Sequence, residues 1–269
     1  MNTFRVNTPA NKQKIAKTFG QAAKVYNAQA QMQKDCAKHV LKLVESYKVD
    51  LPDGVILEIG CGTGFVTKGL IQLFPDRPLE ITDLSSEMLH FCQTNLKISS
   101  TQEAMILFRQ VDGETIATPS SSYAAIASSF VIQWFQTPIP SLRNLLNQLK
   151  PGGYFFLSFP TCHSFPEWKS TCEYLNLPWT VNSLPDPKML IQQLSNDAKW
   201  LYWYEEEICL TFPDATHFFK SLKSIGAGFN QTGKRLTLGQ MRQLIQYWDS
   251  QIADELIVHC HIFFGVIQR

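Results

Sequence analysis

Along the first 50 residues, apolar positions recur every three or four residues. Ile15, Phe19, Ala22 and Tyr26 fall on one helical face, and Met32, Cys36, Val40, Leu43 and Tyr47 on a second. Asp50 to Gly54, with Pro52 between them, breaks the pattern. From Val55 the period changes to short continuous apolar runs alternating with amphipathic stretches. The runs predict strands over 55–59, 79–83, 105–110, 123–128 and 154–159. The stretches between them predict helices over 65–73, 86–95 (capped by Ser85 or Ser86) and 141–149. Lys150 to Gly153 reads as a turn before the fifth strand. Strands without polar alternation are buried on both faces. Alternating with helices, they imply an α/β fold with a doubly wound, mostly parallel sheet.

Beyond residue 159 the alternation loosens. Residues 160–185 contain Pro160, Pro166, Pro178 and Pro185 and read as a long connection. A helix over 187–194 and a strand over 200–212 follow. Two helices, 214–225 and 237–249, flank a glycine-rich bend, and 256–266 is a last strand, the seventh. The chain therefore divides into N-terminal lid helices (1–50), an α/β core (51–212), a helical cap insertion (213–252) and a final core strand (253–269).

The first strand ends in Leu57-Glu58-Ile59-Gly60-Cys61-Gly62-Thr63-Gly64. Glycines at a strand-to-helix turn let a ligand approach the backbone closely. The spacing is G-x-G-x-G; a dinucleotide fingerprint would need glycine where Phe65 stands. Glu58 beside the loop suits a ligand carrying an ammonium group and repels a pyrophosphate. Asp83 ends the second strand, 19 residues past Gly64, where a carboxylate accepts both ribose hydroxyls. Asp112 follows the third strand, within reach of an adenine amino group. Loop, Asp83 and Asp112 all fall at the carboxyl ends of the first three strands.

With these residues in place, the stretch 55–159 resembles the class I S-adenosylmethionine-dependent methyltransferases. The run Glu58 to Gly64 carries the family motif, and Asp83-Leu84-Ser85 with Met88 and Leu149-Lys150-Pro151-Gly152-Gly153 agree with it. Ala124 departs from it, since relatives usually carry a structural Asp in the fourth strand. The resemblance implies a Rossmann-like methyltransferase sheet and S-adenosyl-L-methionine as cofactor. The cofactor would be held by Glu58, Gly60, Gly62, Thr63 and Gly64, by Asp83, Leu84 and Met88, and by Asp112, Gly113 and Ser129.

The flanks resemble the malonyl-acyl-carrier-protein O-methyltransferases of biotin synthesis. The matching residues are Ile15 to Gly20 with Ala22, Ala23 and Tyr26, Gln133-Trp134 after the fourth strand, and Lys220 to Ala227. Leu236-Thr237 and the terminal Phe264 to Ile267 match as well. Relatives carry Arg at 220 and often Asp-Pro where Lys234-Arg235 stands. This resemblance implies methyl transfer to the free carboxylate of a malonyl thioester on acyl carrier protein or coenzyme A. Tyr26, Trp134 and Lys220 would be the catalytic residues, with Lys220 on the malonyl carboxylate and Lys223, Lys234 and Arg235 toward the carrier. The N-terminal helix would close over the cofactor. A carboxylate is already a nucleophile at neutral pH, so no general base is needed. The sequence accordingly offers no Ser-His-Asp or Cys-His arrangement. A small-molecule acid acceptor, as in the trans-aconitate methyltransferases, is the alternative; it would need arginine clamps. A non-catalytic binding protein is the reading from a different class, and the intact glycine loop and Asp83 argue against it.

Charge sharpens the picture only in its distribution. The 269 residues carry a formal net charge of +1. Residues 1–50 hold nine Lys/Arg against three Asp/Glu, 51–212 nine against sixteen, and 213–250 five against two. A basic rim around an acidic core suits an acidic partner. Seven scattered cysteines without CxxC spacing indicate reduced thiols and a cytoplasmic protein. No apolar run is long enough to span a membrane. Trp200, Tyr202, Trp203 and Tyr204 lack interleaved basic residues, so sheet packing is expected and nucleic acid is not. His259-Cys260-His261 has the i,i+2 spacing of metal ligands on a strand. No acidic or second cysteine cluster completes a site along the chain, so ordinary strand residues and no metal are expected.

Overall fold

Two helices, α1 (Ala10–Gln29) and α2 (Gln31–Tyr47), precede the sheet. The structure is a computed structural model describing residues 10–117, 122–231 and 233–269, so the first nine residues of the lid segment lie outside it. The core then runs β1 (Val55–Ile59), α3 (Phe65–Leu73), β2 (Leu79–Asp83), α4 (Ser86–Asn95), α5 (Ser100–Glu103), β3 (Ile106–Gln110) and β4 (Tyr123–Ser129). It continues with α6 (Pro138–Gln148), β5 (Leu149–Pro160), α7 (Pro166–Tyr174), α8 (Pro187–Leu194) and β6 (Lys199–Phe212). The helices α9 (Ala215–Ser224) and α10 (Leu238–Ser250) and the strand β7 (Leu256–Gln268) complete it.

The seven strands form one sheet in the order β3-β2-β1-β4-β5-β7-β6. All neighbours pair in parallel except β7, which is antiparallel to both β5 and β6. Strand order reverses between β1 and β4. The crevice outside their carboxyl ends is where a doubly wound sheet binds ligands, and the loop after Ile59 opens there.

Local chemistry sets the helix ends. Ser85 accepts from the Met88 N–H, Asp214 from the His217 N–H, and Thr237 forms a capping box with Gln240. Pro138, Pro166 and Pro187 each occupy the first helical turn, where the missing N–H costs nothing. Pro166 corrects an expectation: the stretch 160–185 is not one long connection but contains α7, because this proline starts a helix. The short α5, capped by Ser99, was also not anticipated. Lys150 to Gly153 belongs to β5, where Gly152 and Gly153 hydrogen-bond Arg269 at the chain end.

Burial falls into three clusters. Cys36, Ala37, Val40 and Val44 of α2 pack with α3 on one face of the sheet, and α6 with α8 covers the other. The α2 face is thus rotated from the expected stripe, leaving Met32, Leu43 and Tyr47 only partly buried. The third cluster is the cap. Trp168 and Cys172 of α7, Phe218 of α9 and Leu244 and Trp248 of α10 pack on the outer ends of β6 and β7. The cap therefore draws α7 from before residue 212 as well as the 213–252 insertion.

Candidate active site

The turn after β1 is built from left-handed glycines. Gly60 has φ +72°, and a Cβ there would stand 2.2 Å from Val131 Cγ2. Gly64, at φ +92°, caps α3. Above Gly62 the space is open as far as the Tyr26 ring, 4.0 Å from where a Cβ would lie. The loop is thus a backbone cradle roofed by an aromatic ring.

Asp83 supports this cradle. Its Oδ2 accepts from the Gly62 N–H at 2.8 Å and its Oδ1 from the Ser85 N–H at 2.8 Å. Burial raises its carboxyl to about 6, against the lowering effect of those hydrogen bonds. Glu58 lies beneath the loop, 2 % exposed, and lines neither cavity described below. It accepts from Thr67 Oγ1 at 2.7 Å, and burial pushes its carboxyl well above the ordinary range. Thr63 Oγ1 is buried with no hydrogen-bond partner. A glycine cradle with an orphaned Thr63 hydroxyl beside it and the Asp83 carboxyl facing its cavity fits an aminoacyl nucleoside; Glu58, expected on the cofactor, instead supports the loop from beneath.

A cavity of about 110 Å³ extends from this loop. Gly60, Gly62, Asp83, Leu84 and Met88 line it, with Asp112, Gly113 and Ser129 further along. Asp112 is not free there. Lys12 Nζ donates to its Oδ1 at 2.7 Å and its Oδ2 at 2.6 Å, and also pairs with Glu114. All three side chains are at most 7 % exposed. Burial works against ionised Glu114, but hydrogen bonds from Lys12 and the Thr137 and Gln136 N–H groups hold its carboxyl below the ordinary range. The sequence reading missed Lys12. Its signal was legible: it sits three residues before Ile15, a lysine on the apolar face of α1.

A second, larger cavity of about 670 Å³ lies under the cap. Phe165 just before α7, Trp168 of α7, Phe218, Phe219 and Leu222 of α9 and Met241 of α10 line it. Among its described lining residues Lys223, itself exposed at the cavity's margin, is the one charged residue. Lys220 is exposed and lines neither cavity, so the structure does not bring it to Tyr26 and Trp134. Lys234 and Arg235 are exposed outside both.

The two cavities share Phe19, Tyr26, Phe130 and Trp134. Tyr26 stacks on Phe65 at 5.8 Å and meets Phe19 edge-on; Phe19 meets Trp134 edge-on at 5.2 Å. Burial and the nearby Asp83 charge raise the Tyr26 hydroxyl far above its usual value, so it stays protonated. Phe130 sits at φ +59°, a left-handed conformation rare for an aromatic residue and characteristic of functional loops. Among the described residues, no titratable group other than the Tyr26 hydroxyl is shared by the two cavities at this junction.

Comparison with known proteins agrees with the geometry. A family described as a methyltransferase domain matches residues 57–157. A malonyl-acyl-carrier-protein O-methyltransferase of Bacteroides thetaiotaomicron is 30% identical over 218 residues, covering 80% of this chain and 78% of that one. One from Pseudescherichia vulneris is 28% identical over 266 residues, covering 96% and 98%. In fold the chain is similar to the YcgJ protein of Bacillus subtilis, with a TM-score of 0.59, 13% identity and coverage of 86% and 98%.

Proposed function

The chain belongs to the malonyl-acyl-carrier-protein O-methyltransferase family and is an S-adenosylmethionine-dependent methyltransferase; from that premise we propose that it methylates the free carboxylate of a malonyl thioester, a step in making a biotin precursor. When bound, S-adenosylmethionine supplies an electrophilic methyl on a positively charged sulfur. Gly60 and Gly62 would shape its cradle and the Asp83 carboxylate would accept from the ribose hydroxyls, while Glu58, Thr63 and Gly64, which line neither cavity, would support the loop from beneath rather than touch the cofactor. The Lys12 pair with Asp112 and Glu114 fastens α1 over the other end of the crevice.

The observation that carries this reading is the aromatic junction. Methyl transfer has to cross from the smaller cavity to the larger between Phe19, Tyr26, Phe130 and Trp134, and no side chain there accepts a proton. The acceptor must arrive deprotonated, as a carboxylate does at neutral pH. The walls then align the two groups and exclude water. The larger cavity is mostly apolar, with amide and hydroxyl side chains such as Gln33, Gln133, Asn182 and Ser221, a single cation and no arginine among its described lining residues. That supports one terminal carboxylate on a mostly neutral chain rather than a free tricarboxylate. Lys223 takes the role first expected of Lys220. It lies one turn before Gly226, whose Cα packs so near Phe19 that an added Cβ would meet that ring at 3.1 Å. The exposed Lys234 and Arg235 suit an acidic carrier protein at the mouth.

The test is a turnover assay with methyl-labelled cofactor. Malonyl carrier protein should be methylated far faster than free malonate or aconitate. Equal or faster turnover of the free acids would overturn the assignment.

A further inference from the structure

The strands β6 and β7 extend past the rest of the sheet, and one outer patch concentrates ligating side chains. Their antiparallel register sets Glu207 opposite His261 and Cys209 opposite His259. Directly opposed residues share a face. Residues 208 and 210 pack into the core, and 258, 260 and 262 are buried. The four side chains therefore project together on the outer face. Glu167, in the first turn of α7, reaches the same patch.

We propose that Glu207, Cys209 and His259 form a binding site for a divalent transition-metal ion of the zinc type. Their ligand atoms lie within 4.8 Å of one another. Around a tetrahedral zinc such atoms stand roughly 3.4–3.6 Å apart, a contraction that side-chain rotation supplies. A nitrogen, a thiolate and a carboxylate make the mixed donor set that zinc accepts and that calcium or magnesium does not.

The orientation of the donors is the stronger argument. The Glu167 carboxylate accepts from the His259 backbone N–H at 3.1 Å and pairs with His259 Nδ1. That holds the ring and leaves Nε2 pointing at Glu207 Oε1, 4.0 Å away. Nε2 and the Glu207 carboxylate thus converge on the same point from two strands, beside Cys209. His261 Nε2 lies 3.3 Å from Glu207 Oε2 and steadies the second ligand. Two of three ligands thus have an outer partner fixing them, as in built metal sites. Binding converts the Cys209 thiol to a thiolate and releases its proton to solvent. Glu207 and Cys209 are exposed, so the fourth position opens to water.

An ion here would brace α7 against the sheet edge through Glu167, behind the Phe165 and Trp168 wall of the larger cavity. The His-x-His spacing alone did not indicate a site because its partners lie on another strand and on α7.

The test uses the full-length protein stripped with chelator and titrated with Co²⁺ and then Zn²⁺. One Co²⁺ per chain should bind with a thiolate charge-transfer band, and Zn²⁺ should displace it and raise Tm. Cys209→Ser should abolish the band and His259→Ala the binding, with folding checked by circular dichroism. Glu167→Gln should weaken the ion by about 10–100-fold, and Cys162→Ser should change nothing. Absence of saturable binding, a band that survives Cys209→Ser, or one lost in Cys162→Ser would each overturn the site.

Discussion

On one side of the wall made by Phe19, Tyr26, Phe130 and Trp134, the crevice is lined by left-handed glycines, backbone N–H groups and buried carboxylates. On the other, a cavity about six times larger is walled by Phe165, Trp168, Phe218 and Phe219, with Lys223 as its charge. The first side is built from the sheet's switch point and closed by an ion triad. The second is built from three cap helices drawn from separate stretches of chain. Under the proposed function the contrast follows from what each would hold. A charged nucleoside needs donors and acceptors at fixed positions, which rigid strand ends provide. An acyl chain needs apolar area and exclusion of water, which packed aromatics provide.

If the crevice is closed by electrostatics and the cavity by packing, Lys12→Ala should have the largest effect. It leaves Asp112 and Glu114 buried without a partner, at a cost of about 3–5 kcal/mol. The chain relieves that cost by releasing α1. Hydrogen exchange should therefore rise throughout α1 while the cap helices keep their protection. Unchanged exchange in α1 would remove the latch role.

Gly60→Ala comes next. The left-handed backbone costs about 1–2 kcal/mol and the contact with Val131 a further ~1–3 kcal/mol. Cofactor binding measured by calorimetry should fall sharply. Adding Val131→Ala should recover only the part due to the contact. Full recovery would show that the backbone conformation is unimportant.

Asp83→Ala should weaken the cofactor by about 1–3 kcal/mol through the lost hydrogen-bonded carboxylate. The raised Asp83 value adds a test with opposite signs. Burial favours the protonated form, so without cofactor the stability from this group is present at low pH and lost as pH rises from the ordinary carboxylate range through about 6. Ribose hydroxyls donate to the ionised form, so cofactor affinity should rise over that same window. An affinity flat between pH 5 and 7 would remove the ribose assignment.

The smallest effect distinguishes two lysines on one helix. Lys223→Ala should raise KM for malonyl carrier protein roughly tenfold, about 1.4 kcal/mol, and Lys220→Ala should change it little. The reverse order in steady-state kinetics would return the acceptor role to Lys220.

How much of this was legible along the chain depends on the range of the interaction concerned. The helices Phe65–Leu73 and Ser86–Asn95 and the strands Val55–Ile59 and Leu79–Asp83 match their predicted limits, because period, capping serine and breakers are local signals. The glycine loop and Asp83 were legible for the same reason: a strand end and the turn after it are adjacent in sequence. Distant pairings were not. Lys12 meets Asp112 across 100 residues, and only its place on an apolar helix face hinted that it was buried. Lys220 and Lys223 share a charge and lie three residues apart. Which of them lines a cavity depends on how α9 docks against α1 and the sheet, and a helix's own periodicity carries no information on that rotation. Glu207 and Cys209 meet His259 only through the register of β6 on β7, which a one-residue slip would turn to the opposite face. The sequence by itself thus determined most elements of the α/β core, the cradle and the class of cofactor, but not α5 or α7. Only the tertiary structure decided which charges face a cavity, because that choice is made by packing between segments far apart in the chain.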